Sequence, residues 1–246
     1  MNAQTGTNVA CGTPGYYTAT GAGCVAFSGG GDASNVESST GDANCGTYGN
    51  LSGGCLAVAL LGNTTNNQSG SSVQCGDAWG GVQSFASVGC LSVSVLGHAL
   101  NEQTGSQQYG GAFCGMNSNT PAGVGCVSIS AAGDATNSQT SPAAACGAGG
   151  NGVFLFGSPL GKFFTAPGLG IGCIAVSGAG NASNIQTSTS TPPSGACGSG
   201  NYGEGFGIGC LAVSLLGTAV NQPAGLCGVD GYQGTPGGCL AVSGKQ

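Results

Sequence analysis

In the stretch CLSVSVLGHALNEQT, residues 90–104, two sets of residue types alternate along the chain. Counted from Cys90 as offset zero, odd offsets carry Leu and Val, then Gly, Ala, Asn and Gln, while even offsets begin with Cys and Ser and continue with mainly polar residues. A period of two over this length is typical of a β-strand, or of two strands joined by a bend at Gly97. Apolar residues do not recur three and four positions apart, as a helix requires.

This pattern is an internal repeat, which predicts a stacked array. Ungapped copies begin at Cys24, Cys55, Cys90, Cys126, Cys173 and Cys210, and a shorter seventh begins at Cys239. Offset seven is Gly in all six full copies: Gly31, Gly62, Gly97, Gly133, Gly180 and Gly217. Before each copy stands a Gly-rich connector of variable length that opens with Cys-Gly and closes with Gly-Cys. Constant segments with variable connectors are typical of repeats whose insertions fall on one face.

Two polar columns run through the repeat. Offset eleven is Asn35, Asn66, Asn101, Asn137, Asn184 and Asn221, and offset thirteen includes Gln68, Gln103, Gln139 and Gln186, with Glu37 in the first copy. In stacked strands such amides hydrogen-bond up and down the stack, as in cross-β ladders. We also expect columns of identical small and apolar side chains to pack closely on a neighbouring sheet layer.

Composition excludes several classes of protein. The chain has 246 residues, a formal net charge of −6, 4% charged residues and only two cationic side chains, Lys162 and Lys245. Nucleic-acid binding needs clustered cations, so no nucleic acid is expected as a partner. Most enzyme mechanisms need a positioned acid, base or cationic clamp, so we expect no enzyme and no cofactor. The 53 glycines do not fall at every third position, which excludes collagen.

The 14 cysteines predict a disulfide framework, because they are even in number and none lie as close as zinc or redox motifs require. We expect each Cys-Gly opener to pair with the next cysteine: Cys11–Cys24, Cys45–Cys55, Cys75–Cys90, Cys114–Cys126, Cys146–Cys173, Cys197–Cys210 and Cys227–Cys239. Pairing between neighbouring units is the alternative. Disulfides indicate an oxidising compartment, so we expect an extracellular or cell-surface protein whose leader has been removed. No apolar run is long enough to span a membrane.

These patterns together predict an all-β protein, a stacked repeat array of about seven disulfide-stapled units with little or no helix. The array is β-solenoid-like or a layered sheet. A single repeat domain covers residues 1–246, with units that start near Cys11, Cys45, Cys75, Cys114, Cys146, Cys197 and Cys227.

The two ends of the sequence read as complementary half units. Asn2 and Gln4 match the Asn and Gln columns, and Cys239-LAVSGKQ stops inside the repeat. A head-to-tail contact between copies that does not close into a ring produces a filament. The pairing of exposed edge strands would stabilise this contact. The predicted assembly interface is Met1, Asn2, Gln4, Thr5, Leu240, Val242 and Gln246. A chain end chosen by an experimenter would give the same pattern.

Other candidate sites carry weaker patterns. His98 stands in a polar column at offset eight and is expected to be an exposed turn residue without a metal. Asp32 and Asp134 share that column in separate units, which is poor support for a paired-carboxylate glycosidase. A Ser/Thr column at offset fourteen would form a regular hydroxyl row, which is typical of an ordinary polar sheet face and, alternatively, of an ice-binding face. N-x-Ser/Thr sequons, weak signals in so polar a chain, occur at Asn50, Asn63, Asn67 and Asn181.

Aromatic and apolar residues cluster in the connectors. The longest connector contains Val153, Phe154, Leu155, Phe156, Leu160, Phe163 and Phe164, which would form either a covering flap or an exposed patch through which fibres bundle or coat a surface. Trp79 and the six tyrosines also lie in connectors, where we expect them to cover sheet ends.

The leading hypothesis is a self-assembling subunit of an extracellular fibre, sheath or surface coat, whose partner is another copy of itself. The alternative is an ice- or surface-binding protein that uses a flat repetitive β face, with ice or a cell surface as its contact. A secreted carbohydrate-active enzyme ranks last.

Overall fold

The computed structural model describes a chain made of β-strands. It covers residues 1–7, 9–11, 20–46, 51–76, 86–106, 112–115, 122–149, 152–154, 164–166, 169–189, 194–200, 206–223, 226–227 and 238–244. These residues contain no helix. The expected all-β class is therefore confirmed.

Four parallel sheets run the length of the molecule, and we number them in the order in which the chain visits them. Sheet 1 contains β1 (Asn2–Gly6), β5 (Ala33–Ser39), β9 (Thr64–Gly70), β13 (Ala99–Gly105), β17 (Ala135–Ser141), β23 (Ala182–Ser188) and β27 (Ala219–Gln222). Sheet 2 contains β2 (Val9–Cys11), β6 (Ala43–Cys45), β10 (Val73–Cys75), β14 (Ala112–Cys114), β18 (Ala143–Gly149), β24 (Ser194–Gly200) and β28 (Leu226–Cys227).

The connectors lead to two further sheets. Sheet 3 contains β3 (Thr20–Ala22), β7 (Leu51–Gly53), β11 (Ala86–Val88), β15 (Ala122–Val124), β21 (Leu169–Ile171) and β25 (Phe206–Ile208). Sheet 4 contains β4 (Val25–Ser28), β8 (Leu56–Ala59), β12 (Leu91–Ser94), β16 (Val127–Ser130), β22 (Ile174–Ser177), β26 (Leu211–Ser214) and β29 (Leu240–Ser243). A separate antiparallel hairpin joins β19 (Gly152–Phe154) to β20 (Phe164–Ala166) within the longest connector.

One pass through the sheets is one coil, and each coil stacks on the previous one in register. Leu91 pairs with Leu56 on one side and Val127 on the other, and Asn101 pairs with Asn66 and Asn137. Equivalent repeat positions therefore lie directly above one another. This arrangement is a parallel β-solenoid, the first of the two stacked architectures that the repeat predicts. We number its coils 1 to 7, from the coil of β1–β4 to that of β27–β29.

The fifteen-residue repeat forms two strands around a bend. In coils 3 and 4 these are Leu91–Ser94 of sheet 4 and Ala99–Gly105 of sheet 1, with residues 95–98 between them. Across this bend sheet 4 packs on sheet 1, and Ala135, Ala175, Ala182 and Ala212 form one of the apolar clusters between them. The interior next to this bend therefore consists of small side chains.

The large apolar column of sheet 4 lies outside. Ala57 and Ala59 are fully buried, whereas the flanking Leu56 and Val58 face outward. The expectation that columns of small and apolar residues pack inside is correct for the small column and wrong for the Leu/Val/Ile column. The outward side chains are Val25, Phe27, Leu56, Val58, Leu91, Val93, Val127, Ile129, Ile174, Val176, Leu211, Val213, Leu240 and Val242.

Half-cystines fill the middle of the solenoid. Six disulfides join each opener to the next cysteine with Cα–Cα distances of 5.4–5.6 Å: Cys11–Cys24, Cys45–Cys55, Cys75–Cys90, Cys114–Cys126, Cys146–Cys173 and Cys197–Cys210. The side chain of Cys227 is outside the described part, so the expected Cys227–Cys239 pair stays a prediction. Successive coils are also linked where a cysteine N–H donates to the next coil's sulfur, as from Cys55 N to Cys90 Sγ at 3.2 Å.

The Cys-Gly and Gly-Cys signatures have a steric cause. Gly76, after the opener Cys75, has a φ of +64°, and a Cβ there would lie 1.7 Å from the carbonyl oxygen of Val88. Gly54, before Cys55, would place a Cβ 2.5 Å from Cys75 Sγ. Only glycine allows the positive φ beside the Val88 carbonyl after the opening cysteine and the close approach to the next coil's disulfide before the second cysteine.

Candidate assembly interface

A continuous asparagine ladder runs through sheet 1. Each Asn Nδ2 donates to the Oδ1 of the asparagine in the next coil, from Asn2 through Asn35, Asn66, Asn101, Asn137 and Asn184 to Asn221, at 2.8–2.9 Å. Each interior amide also reaches backbone carbonyls; Asn35 Nδ2, for example, lies 3.3 Å from Cys24 O and 2.9 Å from Leu56 O. The ladder therefore has a direction, with donors pointing toward coil 7.

A glutamine ladder runs beside it in the opposite direction. Gln186 donates to Gln139, Gln139 to Gln103, and Gln103 to Gln68, at 2.8–3.1 Å. Gln68 then donates to Glu37 Oε2 at 2.8 Å. Burial raises the pKa of Glu37 to about 7, and the hydrogen bond from Gln68 opposes this shift. Within the described residues, the buried Glu37 Oε1 has no hydrogen-bond partner.

A third column, at offset eight, caps the backbone of the next coil. The side chain at this position accepts the N–H of the equivalent residue one coil later: Asp32 from Asn63, Asn63 from His98, His98 from Asp134, Asp134 from Asn181 and Asn181 from Thr218, at 2.7–3.0 Å. His98 is exposed, as expected, and accepts through Nδ1. The sequence reading missed this role. The usable signal was that every residue in the column has an acceptor atom.

The two ends of the stack present complementary edges. Among the described residues, no strand pairs with the outer edge of coil 1 or of coil 7. Asn2 donates into coil 2, so its Oδ1 stands on the outer side as an acceptor. At the other end, Asn221 Nδ2 makes the two usual backbone bonds, to Cys210 O at 3.0 Å and Leu240 O at 2.7 Å, and no further rung follows it.

The structure places the predicted assembly residues on these two edges. Met1 and Thr5 are exposed in coil 1, Asn2 and Gln4 are half-buried there, and Leu240 and Val242 are exposed in β29. Gln246 lies outside the described residues. The two groups occupy opposite ends of the stack, so only a second copy brings them together. The register supports such a contact, since Asn2, Gln4 and Thr5 align with Asn35, Glu37 and Ser38.

The offset-fourteen hydroxyls lie on the outer side of sheet 1. Ser38, Ser69, Thr104, Thr140 and Thr187 pair in register along consecutive coils. Beside them a shallow groove is lined by Ser39, Thr40, Ser69, Gly70, Ser71, Thr104 and Ser106. The hydroxyl row is therefore regular, with a spacing of about 4.8 Å.

The remaining candidates do not form a catalytic or metal centre in the described part of the chain. Asp32 and Asp134 lie three coils apart, about 14 Å along the stack, whereas glycosidase carboxylates lie within about 10 Å of each other. The dense cysteine groups that could resemble a metal site are built largely of disulfide sulfurs, which are not thiolate ligands.

The sequons and connectors are only partly described. Asn63 and Asn181 are exposed and accept backbone N–H groups, and half-buried Asn67 donates to Glu102 Oε2 at 3.0 Å. Asn50, Trp79, the six tyrosines and residues 155–163 lie outside the described residues, as do the side chains of Val153, Phe154 and Phe164.

Comparison of the chain with protein-family models, curated proteins and solved structures finds no match. Among the described residues, no helix is long and apolar enough to cross a membrane. The many disulfides are consistent with an extracellular location.

Proposed function

We propose that this chain is a structural protein that assembles head to tail into extracellular filaments. Coil 1 of one copy would stack on coil 7 of the next and continue sheets 1, 2 and 4. The observation that carries the proposal is the polarity of the asparagine ladder, which offers an acceptor at Asn2 and a donor at Asn221. A heterologous contact of this kind does not close on itself, so it produces a filament.

Further contacts in the junction follow the interior pattern. The N–H of Cys210 donates to Cys239 Sγ at 3.2 Å, and the N–H of Cys239 would donate to Cys24 Sγ of the next copy. In sheet 4, Leu240 and Val242 would lie beside Val25 and Phe27, as equivalent positions do in every interior coil. All four residues of β29 are exposed, whereas interior strands of this sheet bury every second residue, so the added coil would bury Ala241 and Ser243.

Deletion of Met1–Thr5 tests the proposal, because it removes most of β1 and the acceptor end of the ladder. Negative-stain microscopy of the non-reduced protein should show filaments for the intact chain and none for the deletion. Added in small amounts, the deleted chain should shorten intact filaments, since it keeps a functional tail and lacks a head. Ala3→Ser, on the outward side of the same strand, is the control and should leave the filaments unchanged.

Filaments formed equally well by the deleted chain contradict the proposal, as does an intact chain that sediments as a monomer at every concentration. The hydroxyl row of sheet 1 favours a second function, the binding of ice by a single copy. Thermal hysteresis from a monomer, lost on substitution of Thr104 and Thr140 by valine, would support ice binding and contradict filament assembly.

A further inference from the structure

We propose that the outer face of sheet 4 is a second association surface, which packs against the same face of another copy. This surface runs along the side of the stack and is separate from its ends. It extends the proposed head-to-tail assembly sideways, so that filaments form as pairs.

The face is apolar throughout. Each of the seven strands of sheet 4 turns two side chains outward, and all of them are Val, Leu, Ile or Phe. Exposure is greatest at Phe27 (70%) and Val25 (61%) in coil 1. No ionisable or hydroxyl group interrupts either column. An uninterrupted apolar face of this kind on a soluble protein marks an interaction site.

The adjoining bend widens this face. Exposed pairs of large apolar residues follow the strands of coils 2, 3 and 6: Leu60 and Leu61, Val95 and Leu96, Leu215 and Leu216. In the intervening coils the same positions are Ala131, Ala132, Gly178 and Ala179. In coils 2 to 6 the apolar surface therefore continues from sheet 4 onto the bend without a charged side chain, and in coil 7 the sequence has Lys245 at the equivalent position.

Its area fits a stable protein interface. Seven strands about 4.8 Å apart extend about 29 Å, and four strand residues with two from the bend extend about 20 Å, so the flat footprint is about 600 Å². Because the side chains protrude, the accessible area of the face is larger than this flat footprint and approaches the area of about 800 Å² that each partner buries in a standard interface. Along a filament the face becomes continuous, and the buried area grows with every copy.

A second copy is the occupant that this surface fits. Its two columns repeat every rung, and only another sheet with the same spacing stays in register with them over seven coils. Two such sheets pack about 10 Å apart with interdigitated side chains, as in steric zippers. The outer face of sheet 1 lacks this character, since it mixes Thr65, Glu102 and Ser138 with Leu100.

The test uses a polar version of the face. Val58→Thr, Val93→Thr, Ile129→Thr and Val176→Thr together keep β-branched side chains in four consecutive coils while they add hydroxyls. Val36→Thr, Leu100→Thr, Ile185→Thr and Val220→Thr form the matched control, because they make the same kind of change on the outer face of sheet 1. Circular dichroism of both variants shows whether each is folded.

Mass per length, measured by scanning transmission electron microscopy, gives the result. One copy of 23.2 kDa spans seven rungs, so a single stack has about 0.7 kDa per Å and a pair about 1.4 kDa per Å. We expect the paired value for the native chain and the sheet 1 variant, and the single value for the sheet 4 variant. If no filaments form, sedimentation velocity tests the face separately: a native dimer and a monomeric sheet 4 variant support it.

A native single stack overturns the proposal, as does a sheet 4 variant that pairs as the native chain does. Native protein that stays unpaired and floats with phosphatidylcholine vesicles shows that lipid is the occupant, which also overturns it.

Discussion

At the scale of single residues, the core is held by hydrogen-bonded amides and sulfurs where most proteins use large aliphatic side chains. Asn66, Asn101 and Asn137 are each 2% exposed, and each amide is bonded to the coils on both sides. Buried polar groups cost free energy unless they are paired, and the ladder pairs them through repetition. One substitution therefore affects two neighbours.

Asn101→Ala should lower the free energy of unfolding by about 3 kcal/mol, because it removes an acceptor from Asn66, removes a donor from Asn137 and leaves a cavity. Thr104→Ala, on the exposed side of the same strand, should change it by less than about 0.5 kcal/mol. Urea unfolding with the disulfides intact measures both. Equal stabilities for the two variants would mean that the ladder contributes little.

Glu37 makes stability depend on pH. Its pKa is raised from 4.5 to about 7, so the folded state binds the proton more tightly than the unfolded state does. The resulting stabilisation is complete below pH 4.5 and is lost as the pH rises through about 7, by about 3 kcal/mol in all. Glu37→Gln should remove this dependence and stabilise the protein at pH 8. Urea unfolding of both proteins at pH values from 4 to 8 measures this. A free energy of unfolding that changes with pH in the same way in both would contradict the account.

At the scale of elements, coils 2 to 5 each depend on a glycine of positive φ beside the disulfide. Gly76→Ala should destabilise the protein by at least about 3 kcal/mol, since its φ is +64° and the new Cβ would meet Val88 O. Gly29→Ala is the matched control, because a Cβ there has no heavy atom within 4 Å. Thermal unfolding of the two variants tests this. Similar melting temperatures would contradict it, because they would show that the backbone at residue 76 accepts a Cβ at little cost.

Much of the element structure could be predicted from the sequence. The ungapped spacing from each second cysteine to its Asn and Gln predicts parallel strands in register, because segments of the same length align equivalent positions in neighbouring coils. Local disulfide pairing, as between Cys75 and Cys90, is the pattern in the six described bridges. Alternation alone does not say which column faces inward. Ser92 faces inward, where its hydroxyl donates to Asn101 Oδ1, and the alternation of the strand then places Leu91 and Val93 outside.

The candidate interface was predictable only in part. Asn2 and Gln4 could be aligned with the columns by eye, but the direction of each ladder depends on amide orientation, which no spacing encodes. The capping role of His98 was hidden because Asp, Asn, His and Thr share an acceptor atom without sharing a shape.

At the scale of the whole molecule, the solenoid is a one-dimensional stack in which each coil contacts only its neighbours. Stability in such arrays is approximately a sum over coils and interfaces, so the end coils are the weakest. Burial follows this expectation: Ala212 of coil 6 is fully buried, whereas Ala241 of coil 7 is exposed. A stacked second copy would give the end coils the burial that interior coils have.

The most direct test of head-to-tail stacking is the axial rise per subunit in filaments of the non-reduced protein, measured by electron cryo-microscopy. Seven rungs at about 4.8 Å predict a rise of about 34 Å. Density for the asparagine ladder should pass through the junction from Asn221 of one copy to Asn2 of the next. A rise that is not a whole number of rungs, or a junction in which these two residues are apart, would contradict the account.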